Sequence, residues 1–87
     1  MPCRVELAPA AQRQMRRLPA VARSRLASPI LDLGRSPRPP GARKVRGQSG
    51  TWRVRVGPFR ILYDIHDDAA LIVILKVARR SESTYSF

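Results

Sequence analysis

The polar and apolar positions in the first part of the chain predict one strand followed by two helices. Residues 4–7 alternate between polar and apolar side chains, which is typical of a short strand with one buried face. Apolar residues then recur at spacings of three and four, as on one face of a helix. They form two sets: Ala8, Ala11, Met15 and Leu18, and then Ala22, Leu26, Ile30 and Leu33. Pro19 is expected to end the first helix and Gly34 the second.

An interior proline interrupts the second helical pattern. Pro29 has no N–H to donate and costs about 3 kcal/mol inside a straight helix. A new turn with Ser28 as its N-cap and Pro29 as its first residue avoids that cost. We therefore expect a kinked or split second helix. It should pack antiparallel to the first, because the turn that joins them is short.

The second half of the chain predicts a loop and then three strands. Residues 34–50 are rich in Pro, Gly and Arg, which favours an extended loop with a short edge strand at 43–46. Strands are predicted at 52–56, 59–65 and 71–78, separated by turn residues. The last of these is almost entirely apolar, which indicates a central position in the sheet.

The element order β-α-α-β-β-β predicts an α+β fold in a single domain spanning residues 1–87. Hairpin-length turns favour an antiparallel sheet of about four strands, with the helical hairpin on one face and the other face open. A chain of 87 residues buries only roughly 60% of its unfolded surface, so the core is thin. Cys3, the one cysteine, cannot form an internal disulfide and is expected to be a free thiol.

The charge indicates a partner that is a polyanion. There are 17 Lys and Arg against 6 Asp and Glu, a formal net charge of +11. Nearly all of the cations are arginines, whose planar guanidinium binds phosphate in a bidentate manner. The chain has no apolar run long enough to span a membrane and no pattern of a signal peptide. We therefore expect a cytoplasmic location.

Strand alternation places Arg53 and Arg55 on the face opposite Trp52, separated by about 7 Å. Arg60 follows directly after the hairpin turn. If the register places it on the same face, three guanidinium groups converge on one patch. Like charges at this distance repel, so such a patch is expected where an anion binds.

Three segments resemble the RelE/ParE toxin superfamily. They are Lys44-Val45-Arg46-Gly47, the run from Trp52 to Tyr63, and Val77-Ala78-Arg79-Arg80 followed by Tyr85. The family pattern is K-L-R-G, then Y-R-I-R-V-G-D-Y-R-V-I-Y, then V-x-x-R and a tyrosine, and its middle part matches without gaps. The chain departs from the pattern at Pro58, where the family usually has Asp, and it has arginines at the two strand positions where some members have lysines.

The resemblance implies a bacterial toxin with a cognate antitoxin. RelE-like members enter the ribosomal A site and cleave the bound mRNA without a metal or other cofactor. The 2′-hydroxyl attacks the adjacent phosphate and leaves a 2′,3′-cyclic phosphate. ParE-like members share the fold but inhibit DNA gyrase. The antitoxin is expected to wrap an acidic segment around the toxin, with the basic helix face and the exposed sheet edges as candidate docking surfaces. That face carries Arg13, Arg16 and Arg17, which could equally serve only solubility.

Carried over by position, the resemblance implies a catalytic set of Arg53, Arg55, Arg60, Arg80 and Tyr85. It implies phosphate contacts from Lys44, Arg46, Arg53, Arg55 and Arg79. Arg60 and Arg80 would stabilise the dianionic transition state. Arginines keep their protons at physiological pH and cannot act as a general base.

The remaining candidates for a general base are Tyr85, His66 and Asp64. Tyr85 could instead stack on a nucleobase, His66 belongs to a predicted turn, and Asp64 could pair structurally with an arginine. Three functions therefore stay open: an mRNA endoribonuclease that acts on the ribosome, a gyrase inhibitor without nuclease activity, and a nucleic-acid-binding module without catalysis.

Overall fold

A computed structural model describes residues 2–79 and contains two α-helices and a five-stranded sheet. The elements are β1 (Arg4–Leu7), α1 (Pro9–Arg17), α2 (Ala20–Arg35), β2 (Arg43–Lys44), β3 (Thr51–Val56), β4 (Phe59–His66) and β5 (Leu71–Arg79). A short 3₁₀ turn, Asp67–Ala69, joins β4 to β5. The predicted α+β class, the order of the elements and the short edge strand are confirmed.

The sheet is mixed and has five strands, where the sequence predicted an antiparallel sheet of about four. Its order is β1-β5-β4-β3-β2, and β1 pairs parallel to β5 while every other pair is antiparallel. The parallel pair joins strands from the two ends of the chain, with Leu7 opposite Ile74. Turn lengths reveal only the pairing of consecutive strands, so this contact was missed. The middle strand is β4, and β5 lies between β4 and β1.

The hydrophobic core lies between the two helices and one face of the sheet, here called the helix side. Leu26, Ile30 and Leu33 of α2 belong to the same buried cluster as Ile61 and Ile74 of the sheet. Burying each such side chain stabilises the fold by about 1.5–3 kcal/mol. The opposite face, here called the open side, has no helix over it in the described part of the chain.

The second helix is continuous through Pro29, so the predicted split is wrong. The apolar stripe of α2 spans the proline, with Leu26 before it and Ile30 and Leu33 after it, and all three side chains are buried. A break would disrupt that packing, which outweighs a local cost of about 3 kcal/mol. The carbonyl that loses its partner belongs to Arg25, an exposed residue, where water can bond to it.

Gly34 lies inside α2 and does not end it, because the helix continues to Arg35. The backbone N–H of Cys3 donates to the carbonyl of Gly34 at 2.7 Å. A Cβ atom on Gly34 would come within 2.5 Å of the Cys3 carbonyl oxygen, closer than real Cβ contacts allow. The glycine therefore lets the start of the chain pack directly on the end of α2.

Tyr63 lies at the centre of the core, fully buried, and reaches the loop that follows α2. Its hydroxyl donates to the carbonyl of Pro37 at 2.7 Å. Burial raises the pKa of Tyr63 to about 12, because the phenolate would be removed from water; the nearby positive charge of Arg38 opposes this in part.

We expect the free energy of unfolding to fall between about pH 10 and pH 12 more steeply in the wild type than in Tyr63→Phe. In that range the tyrosine of the unfolded chain loses its proton while native Tyr63 keeps it, so unfolding becomes easier as pH rises. The difference should reach about 2 kcal/mol, measured by denaturant unfolding across the range. Tyr63→Phe also removes the hydrogen bond of the hydroxyl, which lowers the free energy of unfolding of the variant by an amount that does not depend on pH below about 10. Parallel curves would contradict the assignment.

Candidate phosphate-binding site

Cross-strand register brings four arginines onto the open side of the sheet. Arg55 lies directly opposite Arg60 in the β3–β4 hairpin, and Arg43 lies opposite Arg53 between β2 and β3. Directly opposed residues project from the same face, and Arg53 and Arg55 are two apart on one strand. The convergence expected for Arg53, Arg55 and Arg60 is therefore present, and Arg43 joins it.

The four arginines line a pocket of about 380 Å³, completed by Pro40, Gly41 and Val54. Among the described residues that line it, none carries a carboxylate. Four permanent positive charges around one concave site create a potential that attracts anions. Guanidinium groups can bind a phosphate through paired N–H donors. The pocket is therefore suited to a phosphate group or a phosphodiester.

Arg60 differs from the other three arginines because it is buried, with 7% of its surface exposed, whereas Arg43, Arg53 and Arg55 are exposed. It lies between Arg55 on β3 and Ala78 on β5. A register shift between Leu62 and Tyr63 gives β5 an extra residue and sets Ala78 opposite Arg60. The small side chain of Ala78 leaves room for the aliphatic part of the Arg60 side chain. A charge that is largely buried from solvent acts on a neighbouring anion more strongly than an exposed charge does, because the local dielectric constant is lower.

The wall of the pocket that faces β3 is a tight turn. The N–H of Ala42 donates to the carbonyl of Pro39 at 3.0 Å, and Gly41 has a φ of +91°. Proline at the second position and a left-handed glycine at the third are the signature of a type II turn. Gly41 has no side chain, so the backbone itself forms this wall of the pocket.

Three other predicted phosphate contacts lie away from the four arginines. Lys44 is opposite Trp52, which places it on the helix side, and Arg46 lies in the loop after β2. Arg79 is opposite Phe59, and its guanidinium carbon lies 5.1 Å from the centre of that ring. Arg80 and Tyr85, assigned to catalysis by the resemblance, lie outside the described residues.

Two candidates for a general base are distant from the pocket. Asp64 and His66 follow Arg60 on β4 by four and six residues, or about 13 and 20 Å along a strand. The Asp64 carboxylate accepts a hydrogen bond from the hydroxyl of Thr51, which is a structural pairing across the β3–β4 hairpin. His66 is exposed and borders a shallow pocket with Asp67 and Asp68.

The sequence did not identify Arg43 as a site residue. Its position opposite Arg53 depends on the register of the β2–β3 hairpin, which the glycine-containing loop between the strands sets. One contact and two backbone conformations fix that register: the Val45 N–H donates to the Thr51 carbonyl at 2.8 Å, and Gly47 and Gly50 adopt positive φ. The only signal in the sequence was a basic residue at the start of a predicted short strand, which is a common feature of basic chains.

The exposed arginines of α1 do not belong to the site. Arg13, Arg16 and Arg17 are exposed on α1, on the helix side and away from the pocket. Within residues 2–79, no group of three or more His, Cys, Asp or Glu side chains is placed to hold a metal ion. None of the helices in the described chain is long and apolar enough to cross a bilayer.

We expect Arg43→Ala to weaken binding of inorganic pyrophosphate by about tenfold, since it removes one charged hydrogen-bond donor from the pocket. Lys44→Ala removes the same charge one residue further along, on the other side of the sheet, and should change the affinity by less than about twofold. Isothermal titration calorimetry at low salt measures both. Equal losses in the two variants would show that only the net charge matters.

Comparison with known proteins places the chain in a family. The family model for the ParE toxin of the type II toxin–antitoxin system parDE matches residues 5–84. No curated protein matches. Among solved structures, a chain of the toxin–antitoxin complex RelBE2 from Mycobacterium tuberculosis is 30% identical, with 94% of this chain and 95% of that chain covered and a TM-score of 0.83.

Two further structures agree in fold. A chain of the RelE–RelB complex from Pyrococcus horikoshii is 24% identical, with 95% of this chain and all of that chain covered (100%) and a TM-score of 0.81. The isolated RelE toxin from E. coli is 19% identical, with 97% and 90% covered and a TM-score of 0.79. With the family model matched over nearly the whole length, the chain belongs to the ParE toxin family of type II toxin–antitoxin systems, within the RelE/ParE superfamily.

Proposed function

We propose that this toxin is an endoribonuclease that cleaves mRNA in the ribosomal A site and so inhibits translation. The observation that carries the proposal is the pocket of four arginines on the open side of the sheet. Four guanidinium groups around one concave site attract an anionic ligand, and a phosphodiester is an anion whose shape and charge suit them.

The proposed chemistry is attack by the 2′-hydroxyl on the adjacent phosphorus, which expels the 5′-oxygen and leaves a 2′,3′-cyclic phosphate. Charge develops on the non-bridging oxygens in the transition state. Fixed cations stabilise that charge more than they stabilise the ground state. Arg60 suits this role best, because it is buried and therefore held in place. Arg53, Arg55 and Arg43 would hold the phosphates of the substrate.

Proton transfer requires groups other than these arginines, which stay charged at any physiological pH. We assign Arg80 to transition-state stabilisation and Tyr85 to proton transfer or base stacking, on the resemblance alone. Correct alignment of the 2′-hydroxyl by the ribosome would supply part of the rate, as positioning does in other enzymes.

A cognate antitoxin completes the proposal. The solved M. tuberculosis structure is a toxin–antitoxin complex, and the P. horikoshii structure is a RelE–RelB complex. A chain with a net charge of +11 would attract an acidic segment strongly. The exposed arginines of α1 offer one such surface, separate from the pocket.

Gyrase inhibition is the second candidate, and the name of the matching family model favours it. It differs from the endoribonuclease proposal because it does not require the arginines that line the pocket. A gyrase inhibitor would keep its activity when the pocket arginines are replaced, and it would leave mRNA intact.

We expect Arg60→Ala to lower the rate of mRNA cleavage on ribosomes by about 10²-fold or more, because it removes a preorganised cation from the reacting phosphate. The measurement maps the 3′ ends of mRNA bound to programmed ribosomes. Arg25→Ala, which removes an exposed arginine of α2 from the opposite side of the sheet, is the matched control and should cleave at the wild-type rate. Intact mRNA with the wild-type toxin, together with inhibited gyrase, would replace the proposal with the second candidate.

A further inference from the structure

The segment between α2 and β2, residues 36–42, crosses the outer edge of the sheet and is here called the strap. At its start, Pro37 and Arg38 contact Tyr63 and Trp52, two directly opposed residues on the helix side. At its end the strap leads into Arg43, which projects to the open side. Strand β2 pairs only with Trp52 and Arg53 of β3, so the strap is not paired with β3 beyond Arg53. There Pro40 and Gly41 of the strap form the wall of the arginine pocket that faces β3.

Three contacts hold the start of the strap. The Tyr63 hydroxyl donates to the Pro37 carbonyl at 2.7 Å. An Arg38 guanidinium nitrogen donates to the Asp67 carboxylate at 2.9 Å, and the guanidinium carbon lies 5.4 Å from the centre of the Trp52 ring. The hydrogen bond to Asp67 raises the pKa of Arg38 above its ordinary value. Arg38 therefore joins the strap to β3 and to the 3₁₀ turn between β4 and β5.

The strap is short and stiff, so a change at one end is transmitted to the other. Prolines at 37, 39 and 40 restrict its backbone, and the turn at 39–42 fixes it further. Only Pro39 and Pro40 separate Arg38 from Gly41. If Arg38 is released, the wall formed by Pro40 and Gly41 can move away from Arg53 and Arg55.

We propose that Arg38 is a positioning residue, which through Asp67 and Trp52 holds the strap where it completes the phosphate pocket. The inference rests on the proposed phosphate-binding function. Arg38 does not line the pocket itself, and its guanidinium is engaged on the helix side. The ion pair is exposed, with 46% of the Arg38 side chain and 65% of the Asp67 side chain accessible, so its effect on overall stability should be small.

The sign of one substitution separates positioning from simple charge. Asp67→Asn removes a negative charge, so electrostatics alone predicts tighter binding of an anion. Release of the strap predicts weaker binding. Asp68→Asn makes the same change in charge at the next residue, for which the described contacts include no bond to Arg38, and it is the matched control.

The fluorescence of Trp52 reports whether Arg38 is in place, because Trp52 is the one tryptophan in the chain and its ring lies beneath the Arg38 guanidinium. Release of the guanidinium should expose the ring and raise its quenching by acrylamide, a neutral quencher. This measurement needs no nucleic acid. It therefore tests the contact independently of the proposed function.

The experiment measures acrylamide quenching and the affinity for a short 2′-O-methyl RNA, which cannot be cleaved, in full-length wild-type protein and four variants. Asp67→Asn should increase the quenching and weaken binding by about threefold, and Arg38→Ala should weaken it by about tenfold. Asp68→Asn should leave the quenching unchanged and bind as the wild type does or slightly more tightly. Denaturant unfolding confirms that each variant is folded.

Two results would overturn the positioning role even if the proposed phosphate site is correct. One is Asp67→Asn binding as tightly as Asp68→Asn, and the other is unchanged quenching in both Asp67→Asn and Arg38→Ala. The fourth variant, Arg53→Ala, reports on the pocket itself. If it binds RNA as the wild type does, the proposed phosphate site is wrong, and the positioning role is rejected with it. That outcome differs from failure of the strap alone, in which Arg53→Ala loses affinity and Asp67→Asn does not.

Discussion

Repulsion between arginine side chains is the constraint on which the site depends. Arg55 and Arg60 face each other across one pair of strands, and Arg43 and Arg53 across the next. Opposed like charges destabilise a sheet by a few tenths of a kcal/mol to about 1 kcal/mol. The rest of the fold must hold these groups together against that force, and a bound anion would relieve it.

The hydrophobic core opposes this repulsion, because it fixes the register in which the strands pair. Side chains alternate between the two faces of a strand, so burying Ile61 and Tyr63 on the helix side places Arg60 on the open side. A slip by one residue would expose the core residues and bury the arginines, which is prohibitively costly. The same apolar contacts that stabilise the domain therefore also assemble the cationic pocket. The strap then closes the pocket on the side where the sheet ends.

The sequence predicts those parts of this arrangement that depend on local periodicity. Alternation in β3 and the short hairpin turn were enough to place Arg53, Arg55 and Arg60 on one face. What the sequence does not reveal depends on distant contacts. The parallel pairing of β1 with β5, the loop register that brings in Arg43, and the packing that keeps α2 intact through Pro29 all involve residues far apart in the chain. Lys44 and Arg79 matched a family motif, yet strand parity places them on the helix side.

The most direct test of the central claim is the stability of Arg55→Gln at low salt, measured by denaturant unfolding with and without pyrophosphate. Without ligand, the variant should be more stable than the wild type by about 0.5 kcal/mol, because one repulsive pair is removed. The difference should shrink as salt screens the charges. With pyrophosphate, the wild type should gain more stability than the variant. A variant that is less stable without ligand, and that gains as much from pyrophosphate as the wild type, would contradict the account.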